Sequence, residues 1–247
     1  MSSGQKWWKP VLNRSLDFVF TSFCSICNGR VFKDGYSYSC QECLDSLAWV
    51  RGTRCKLCGV SMSGMGFKDM TCVNCREENL LFEEGRCMFL MEERSKNLVH
   101  DLKYYGARMI LRDMTSWLDR CPGYEDFLEG SFLIPVPLHQ RRYSSRGFNQ
   151  SVWIAQAFKK SIGSGVEVCD LLARKKNTPT QTVLNRNERK ANVKNAFALK
   201  PKNCLKKEDR IVLIDDVFTT GATLNACAQT LRNEGFVRID VATLGHG

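Results

Sequence analysis

Apolar positions along this chain fall into two repeating patterns, short unbroken runs and helical spacings, and they alternate. Ile211-Val-Leu-Ile214 is an uninterrupted apolar run followed at once by Asp215 and Asp216, which reads as a buried strand with both acids at its carboxyl end. A helix is predicted over residues 222–235. Residues 86–91 and 132–136 predict two further strands, and residues 237–244 alternate as a last one. Ser95 caps a helix that turns Leu98, Leu102 and Tyr105 to one side and ends near Gly106. A second helix carries Leu111, Met114 and Leu118 inward, and a third, over 148–160, buries Phe148, Val152 and Ala155. Near the start, Leu12, Leu16, Val19, Phe20 and Phe23 recur at helical spacing. Strands alternating with helices imply an α/β fold around a parallel sheet flanked by helices.

The cysteines divide the chain in two. Eight of the 13 lie before residue 76, as Cys24/Cys27, Cys40/Cys43, Cys55/Cys58 and Cys72/Cys75. Two Cys-x-x-Cys pairs separated by 12 residues, and two more by 13, approach the spacing of four-cysteine zinc sites. Glycines next to Cys58 and two residues after Cys27 suit the tight turn of a zinc knuckle. Disulfides would require an oxidising compartment, and residues 1–10 lack the apolar segment of a secretory signal, so a cytoplasmic setting and two structural zinc ions are expected. The spacing leaves open whether neighbouring pairs share an ion or the first and third pairs do. Residues 1–80 are thus expected to form a helix and a double four-cysteine zinc domain, and residues 81–247 the α/β domain. The other cysteines, including Cys87, Cys121 and Cys227, read as packed thiols. No apolar run approaches the roughly 18 residues of a membrane span, so no membrane insertion is expected.

Charge adds a third feature. Residues 141–210 hold 17 Lys/Arg against five Asp/Glu, a net +12, while the whole chain carries +10. So local an excess points to a polyanionic ligand or partner.

Chemistry concentrates after the 211–214 run. Thr219, Thr220 and Thr223 offer hydroxyls, and the backbone around Gly221 and Ala222 offers N–H groups, at a helix start whose dipole favours an anion. Two carboxylates cannot hold a phosphate, which leaves them ribose hydroxyls or a divalent metal bridging to pyrophosphate. One ligand calls for all of these groups: a ribose 5-phosphate bearing pyrophosphate. In residues 134–150 a strand runs into a loop stiffened by Pro135 and Pro137, which invite an unusual turn such as a cis bond. Arg141, Arg142 and Arg146 follow and form a candidate pyrophosphate clamp. His139 lies nearest that clamp and is assigned a structural role. The polar, basic segment 174–197 reads as a flap that closes over bound phosphates, with Arg186 and Arg189 reaching the ligand.

The run of strand, Asp215-Asp216 and Thr219-Thr-Gly-Ala-Thr223 resembles the phosphoribosyl-pyrophosphate (PRPP) loop of type I phosphoribosyltransferases. That resemblance implies ribose contacts from Asp215 and Asp216 and 5-phosphate contacts from Thr219, Thr220, Gly221, Ala222 and Thr223. Phe218 stands where many such loops carry a small or β-branched residue, which would alter the shape of the pocket. The cysteine knuckles, Leu102-Lys103-Tyr104, Pro135-Val-Pro-Leu-His139, Arg146-Gly-Phe-Asn-Gln150, Asn177-Thr-Pro-Thr-Gln181 and the 215–223 loop together resemble the ComF (competence protein F) family over nearly the whole chain. The family implies a zinc-bearing, phosphoribosyltransferase-like protein linked to DNA uptake, taking PRPP with Mg²⁺. Displacement of pyrophosphate would be assisted by Lys103, Asp215 and Asp216, with an acceptor that no motif declares. The competing expectation is a non-catalytic protein that keeps the fold and handles single-stranded DNA, with Tyr143, Phe148 and Trp153 as stacking groups. A third is an assembly role for the zinc domain, passing DNA from a competence helicase or transport protein.

Overall fold

The computed structural model describes residues 22–31, 38–62, 70–176, 195–201 and 205–247. The helix expected around Leu12–Phe20 lies outside the described residues; Phe23, its last member, belongs to a short strand. The cysteine-rich part contains β1 (Ser22–Phe23), β2 (Arg30–Val31), α1 (Gln41–Asp45) and α2 (Val73–Arg76). Next come β3 (Gly85–Leu90), α3 (Glu93–His100), a π-helical turn (Asp101–Tyr105), a 3-10 turn (Arg108–Asp113), α4 (Met114–Asp119) and α5 (Tyr124–Leu128). The remainder is β4 (Ser131–Pro135), α6 (Gln140–Arg146), α7 (Gln150–Ile162), β5 (Val166–Val168), β6 (Leu172–Arg174) and β7 (Phe197–Leu199). β8 (Arg210–Phe218), α8 (Ala222–Asn233) and β9 (Arg238–His246) complete it.

Five strands form a parallel sheet in the order β3-β9-β8-β4-β5, and β6 and β7 pair separately as an antiparallel ribbon. Ile211, Val212, Leu213 and Ile214 all have no exposed surface, because β8 is covered on both faces, as an unbroken apolar run demands. Successive side chains still divide by face. Val212 and Ile214 pack with Leu133, Leu102, Trp117 and Phe158, while Ile211 and Leu213 pack with Ile239, Leu224 and Leu231. β9, expected to alternate, is buried from Ile239 to Gly245 because it lies between β3 and β8.

Three other expectations change. Ser95 is not the cap of α3; Glu92 is, and Ser95 sits three residues in, its hydroxyl accepting from Glu92 N–H at 2.8 Å in a capping box. Leu98 and Leu102 are fully buried, but Tyr105 is 76% exposed, since the wider π-helical turn breaks the 3.6-residue spacing that would have turned it inward. Asn149 caps α7, so Phe148 precedes the helix and stacks on Trp153 at 4.1 Å; Ile154, Ala155 and Phe158 are its buried apolar residues, and Val152 is only partly buried. No described peptide bond is cis.

The cysteine-rich part shares both faces of this core. Cys24, Cys43, Leu44 and Leu47 join the cluster around Trp117, and Cys55, Cys58 and Cys75 join the one around Leu213. Residues 48–50 also run antiparallel to the outer edge of β3, with Val50 N–H donating to Met88 O at 2.8 Å and Leu90 N–H to Ala48 O at 2.9 Å. A free strand edge is thereby closed. Nearby, Gly59 (φ +75°) presses its backbone onto β3, where an added Cβ would lie 2.7 Å from Cys87 N. Gly52 has a similar φ of +70° and open space around it. Left-handed backbone alone costs an L-residue roughly 1–2 kcal/mol. Gly52→Ala should therefore lose about that much in a urea titration. Gly59→Ala should lose clearly more, and equal losses would mean that the close approach to β3 is not tight.

Candidate functional site

The strand–turn–helix at β8 and α8 forms one wall of a cavity of about 360 Å³ at the carboxyl ends of the strands. Ligands bind at that end of open α/β sheets. Asp215 is half-buried and Asp216 is 4% exposed at the end of the strand. Thr219, Gly221, Ala222 and Thr223 line the cavity beyond them. Gly221 holds the left-handed turn (φ +71°) that starts α8, and a Cβ there would meet the Phe218 ring at 2.6 Å. Phe218 does not line this cavity, contrary to the expectation that it reshapes the pocket. It lies beneath the turn, 3% exposed and stacked on His246 at 5.3 Å, so its size is absorbed by the core and by Gly221.

Lys103, Arg142, Arg146 and Arg174 line the same cavity. Lys103 Nζ pairs with Asp216 Oδ1 at 2.8 Å, and Gln150 Nε2 donates to Asp216 Oδ2 at 2.8 Å. Arg146 Nη1 in turn donates to Gln150 Oε1 at 2.6 Å. Asp215 Oδ1 accepts from Ser151 Oγ and from Asp216 N–H, both at 3.0 Å. Burial, and then the Asp216 charge, push the Asp215 carboxyl up to about 7. Burial acts to lower the Lys103 ammonium, but Asp216 and the bond to it outweigh that and raise it. Burial and Arg146 lower Arg142, while burial and Arg142 lower Arg174; crowded, desolvated cations of this kind favour an anionic ligand.

Not every expected residue is here. Arg141 is exposed and does not line the cavity; its N–H donates to His139 Nδ1 at 3.2 Å, so His139 caps α6, and of the three arginines expected as a clamp only Arg142 and Arg146 line the cavity. Thr220 lines a smaller, neighbouring cavity instead. Arg186, Arg189 and the 177–181 motif lie outside the described residues. Arg174, placed at the start of a flap from the sequence, instead belongs to β6 and joins a parallel bridge to His139. Sequence reasoning missed Gln150 and Ser151 as site residues. The available signal was polarity at two positions on the buried stripe of α7 that continues through Ile154, Ala155 and Phe158.

The eight cysteines form two clusters, Cys24/Cys27/Cys40/Cys43 and Cys55/Cys58/Cys72/Cys75, each with its sulfurs within 4.8 Å of one another. Neighbouring pairs therefore combine, and the cross-braced alternative does not occur. Cys27–Cys40 and Cys58–Cys72 sulfurs are 3.8 Å apart, the edge of a tetrahedron with the roughly 2.3 Å bonds of zinc thiolates. Backbone N–H groups of Ile26, Gly29, Cys40, Cys43 and Cys72 point at these sulfurs, which suits thiolates. At the first knuckle Asn28 (φ +57°) takes the left-handed position expected of glycine. With four sulfurs each, the clusters fit structural zinc.

Comparison with known proteins agrees with this layout. Residues 15–76 match the double zinc ribbon domain, and residues 145–245 match the phosphoribosyl transferase domain. The chain is a phosphoribosyltransferase-like protein with an amino-terminal double zinc ribbon. It is 28% identical to Competence protein F of Haemophilus influenzae over 229 residues, covering 90% of this chain and 96% of that protein. It is 25% identical to Competence protein ComFC of Bacillus subtilis over 206 residues, covering 79% and 78%. A shorter match of 110 residues, 38% identical, links it to DNA utilization protein YhgH of Shigella flexneri over 44% of this chain and 46% of that one. The ComF family resemblance drawn from the sequence is upheld. Among the described residues no helix is long and apolar enough to cross a membrane.

The Asp215 carboxyl yields a prediction with a definite sign. Its pKa rises on folding, from 3.8 to about 7, so the protonated form favours the folded state, and its contribution to stability falls as pH rises between those values. Asp215→Asn should change the melting temperature little near pH 4. Its advantage should grow to about pH 7 and stay level above, reaching at least about 2–4 °C at pH 8. A substitution that destabilises at pH 8 would show that Asp215 does not carry this strained charge.

Proposed function

We propose that the chain binds PRPP, or a closely related phosphorylated ribose, in the 360 Å³ cavity, and that it works in the cytoplasm in the handling of incoming DNA or in nucleotide metabolism. One observation carries this reading: the acids and hydroxyl-rich turn of β8–α8 line a single cavity of small-ligand size together with Lys103, Arg142, Arg146 and Arg174. Asp215 presents Oδ2 to the ribose hydroxyls, since its described hydrogen bonds fall on Oδ1. Asp216, with both oxygens engaged by Lys103 and Gln150, anchors those side chains. The turn from Thr219 to Thr223 holds the 5-phosphate with N–H groups at the start of α8. Mg²⁺ arrives with the pyrophosphate as part of the substrate. As a transferase, the protein would let an acceptor displace pyrophosphate from C1, the cations stabilising charge on the leaving group. The division near residue 80 is then one of labour, the ribbons as scaffold and the rest as binding site.

A second reading has its own support. Tyr104 (49% exposed) lines the cavity, with Arg146 over its ring at 5.1 Å and His100 against it at 4.8 Å, and Tyr105 (76%) and Tyr143 (52%) are exposed on the π-helical turn and on α6. Exposed aromatic rings interleaved with cations are the stacking surface of single-strand binders. This arrangement, with the competence and DNA-utilization names of the relatives, supports a non-catalytic role in single-stranded DNA handling, in company with helicase or transport proteins. Phe148 and Trp153 stack on each other and are not free for that role.

Calorimetric titration with PRPP tests the first reading. Wild type should bind in the presence of Mg²⁺, and Asp215→Asn should bind at least about 10-fold more weakly, the loss of one charged hydrogen-bond acceptor. Equal affinities would remove the ribose contact. Fluorescence titration with a labelled single strand tests the second: affinity should fall with salt at a slope of about −0.7 per phosphate contacted, and Tyr105→Ala/Tyr143→Ala should weaken it. Salt-insensitive binding, or none, would eliminate it.

A further inference from the structure

The turn that carries the proposed phosphate site borders two spaces. Thr219, Gly221, Ala222 and Thr223 line the ligand cavity, while Phe218, Thr219 and Thr220 line a second cavity of about 50 Å³, with Thr219 and Gly247 common to both. That second cavity is also lined by the second zinc ribbon: Cys58, Asn74 and Cys75, with Glu78 and Leu80 from the segment that leaves it. Two of these residues, Cys58 and Cys75, belong to the second sulfur cluster. The turn is thus backed by a metal-ordered knuckle and α2.

Side-chain hydrogen bonds lock the two together. Asn225, in the first turn of α8, accepts from Leu81 N–H at 2.7 Å and donates from Nδ2 to Asn79 O at 3.0 Å. Its own N–H donates to Gly221 O at 2.8 Å. One carboxamide therefore joins the chain leaving the ribbon to the helix start that would hold the phosphate. Beneath the turn, Phe218 packs edge-on to Phe82 at 6.3 Å, so the same exit segment also supports the ring that excludes a Cβ at Gly221. A turn of five residues has no core of its own, and anion binding by its N–H groups needs their directions fixed beforehand.

We infer that the second zinc ribbon positions the phosphate-binding turn, and that Asn225 is the positioning residue that couples them. The inference rests on the reading of the cavity as a ribose-phosphate site and adds a dependence on the metal-ordered ribbon. Coupling of this kind is reciprocal: whatever the ribbon does for ligand affinity, the ligand does for the ribbon. The first ribbon packs with the other face of the core.

The test uses the full, zinc-loaded chain with ribose 5-phosphate and inorganic pyrophosphate as separate probes. Asn225→Ala should retain two zincs and its pyrophosphate affinity, but bind ribose 5-phosphate about 10-fold or more weakly. In wild type, saturating ribose 5-phosphate should slow release of one of the two zincs to a chromogenic chelator, and that protection should disappear in Asn225→Ala. Unchanged ribose 5-phosphate affinity in the variant, or no protection in a wild type that binds the sugar, overturns the coupling. If Asn225→Ala loses zinc or fold, Asn225→Ser is read instead, since it adds no charge beside the phosphate and replaces the carboxamide by a shorter hydroxyl. A measurable fall in affinity then supports the coupling, and an unchanged value overturns it. A wild type that binds pyrophosphate but no ribose 5-phosphate removes the assigned reading of the cavity, and the coupling with it.

Discussion

Two adjacent carboxylates at the end of a strand buried on both faces repel each other, and the surrounding elements are placed to contain that repulsion. Asp216 is held by Lys103 from the π-helical turn and by Gln150 from α7, and Asp215 by Ser151 one residue further along that helix. Asn149 caps α7 through Ser151 N–H and also donates from Nδ2 to Val136 O at 3.0 Å, which ties the start of the helix to the chain leaving β4. The acids therefore sit near a helix amino terminus, whose dipole stabilises negative charge. Containment is incomplete, because the Asp215 carboxyl still rises to about 7. A fold under selection for stability alone has no use for a second acid there, and uncompensated cost of this sort agrees with the ribose contact proposed for Asp215.

Much of this was legible in the sequence, and the omissions have physical causes. The apolar run before Asp215, the turn chemistry around Gly221 and the cysteine spacing are local signals, and each led to the right element. Gln150 and Ser151 were not, since their partners lie 66 and 64 residues away and only the tertiary fold brings them together. Tyr105 was assigned to the core because a π-helical turn leaves no mark in apolar spacing. Arg141 was grouped with Arg142 and Arg146 because adjacency in sequence does not show which way a side chain leaves a helix; on α6 it turns away from the cavity. Arg174 read as a flap residue because three residues of strand are too short to announce themselves amid polar neighbours, and their partner, β7, lies beyond residue 194.

The two zinc ribbons do for the sheet what additional strands and helices do in larger α/β proteins. Their backbone closes the edge of β3, and their knuckles pack on both faces of the core, without the large apolar content that a helix layer would need. They are not equivalent. In the first, Cys27 is exposed and Cys40 partly so, and the ribbon is tied to the 3-10 turn by Tyr38 N–H donating to Asp113 at 2.9 Å. In the second, Cys55, Cys58 and Cys75 are at most 4% exposed and belong to the same cluster as Phe218 and Leu224. Thiolates shielded from water and solutes exchange metal less readily than exposed ones. The ribbon whose sulfurs are better protected is the one behind the turn from Thr219 to Thr223, where displacement of the backbone would disturb the proposed phosphate site most.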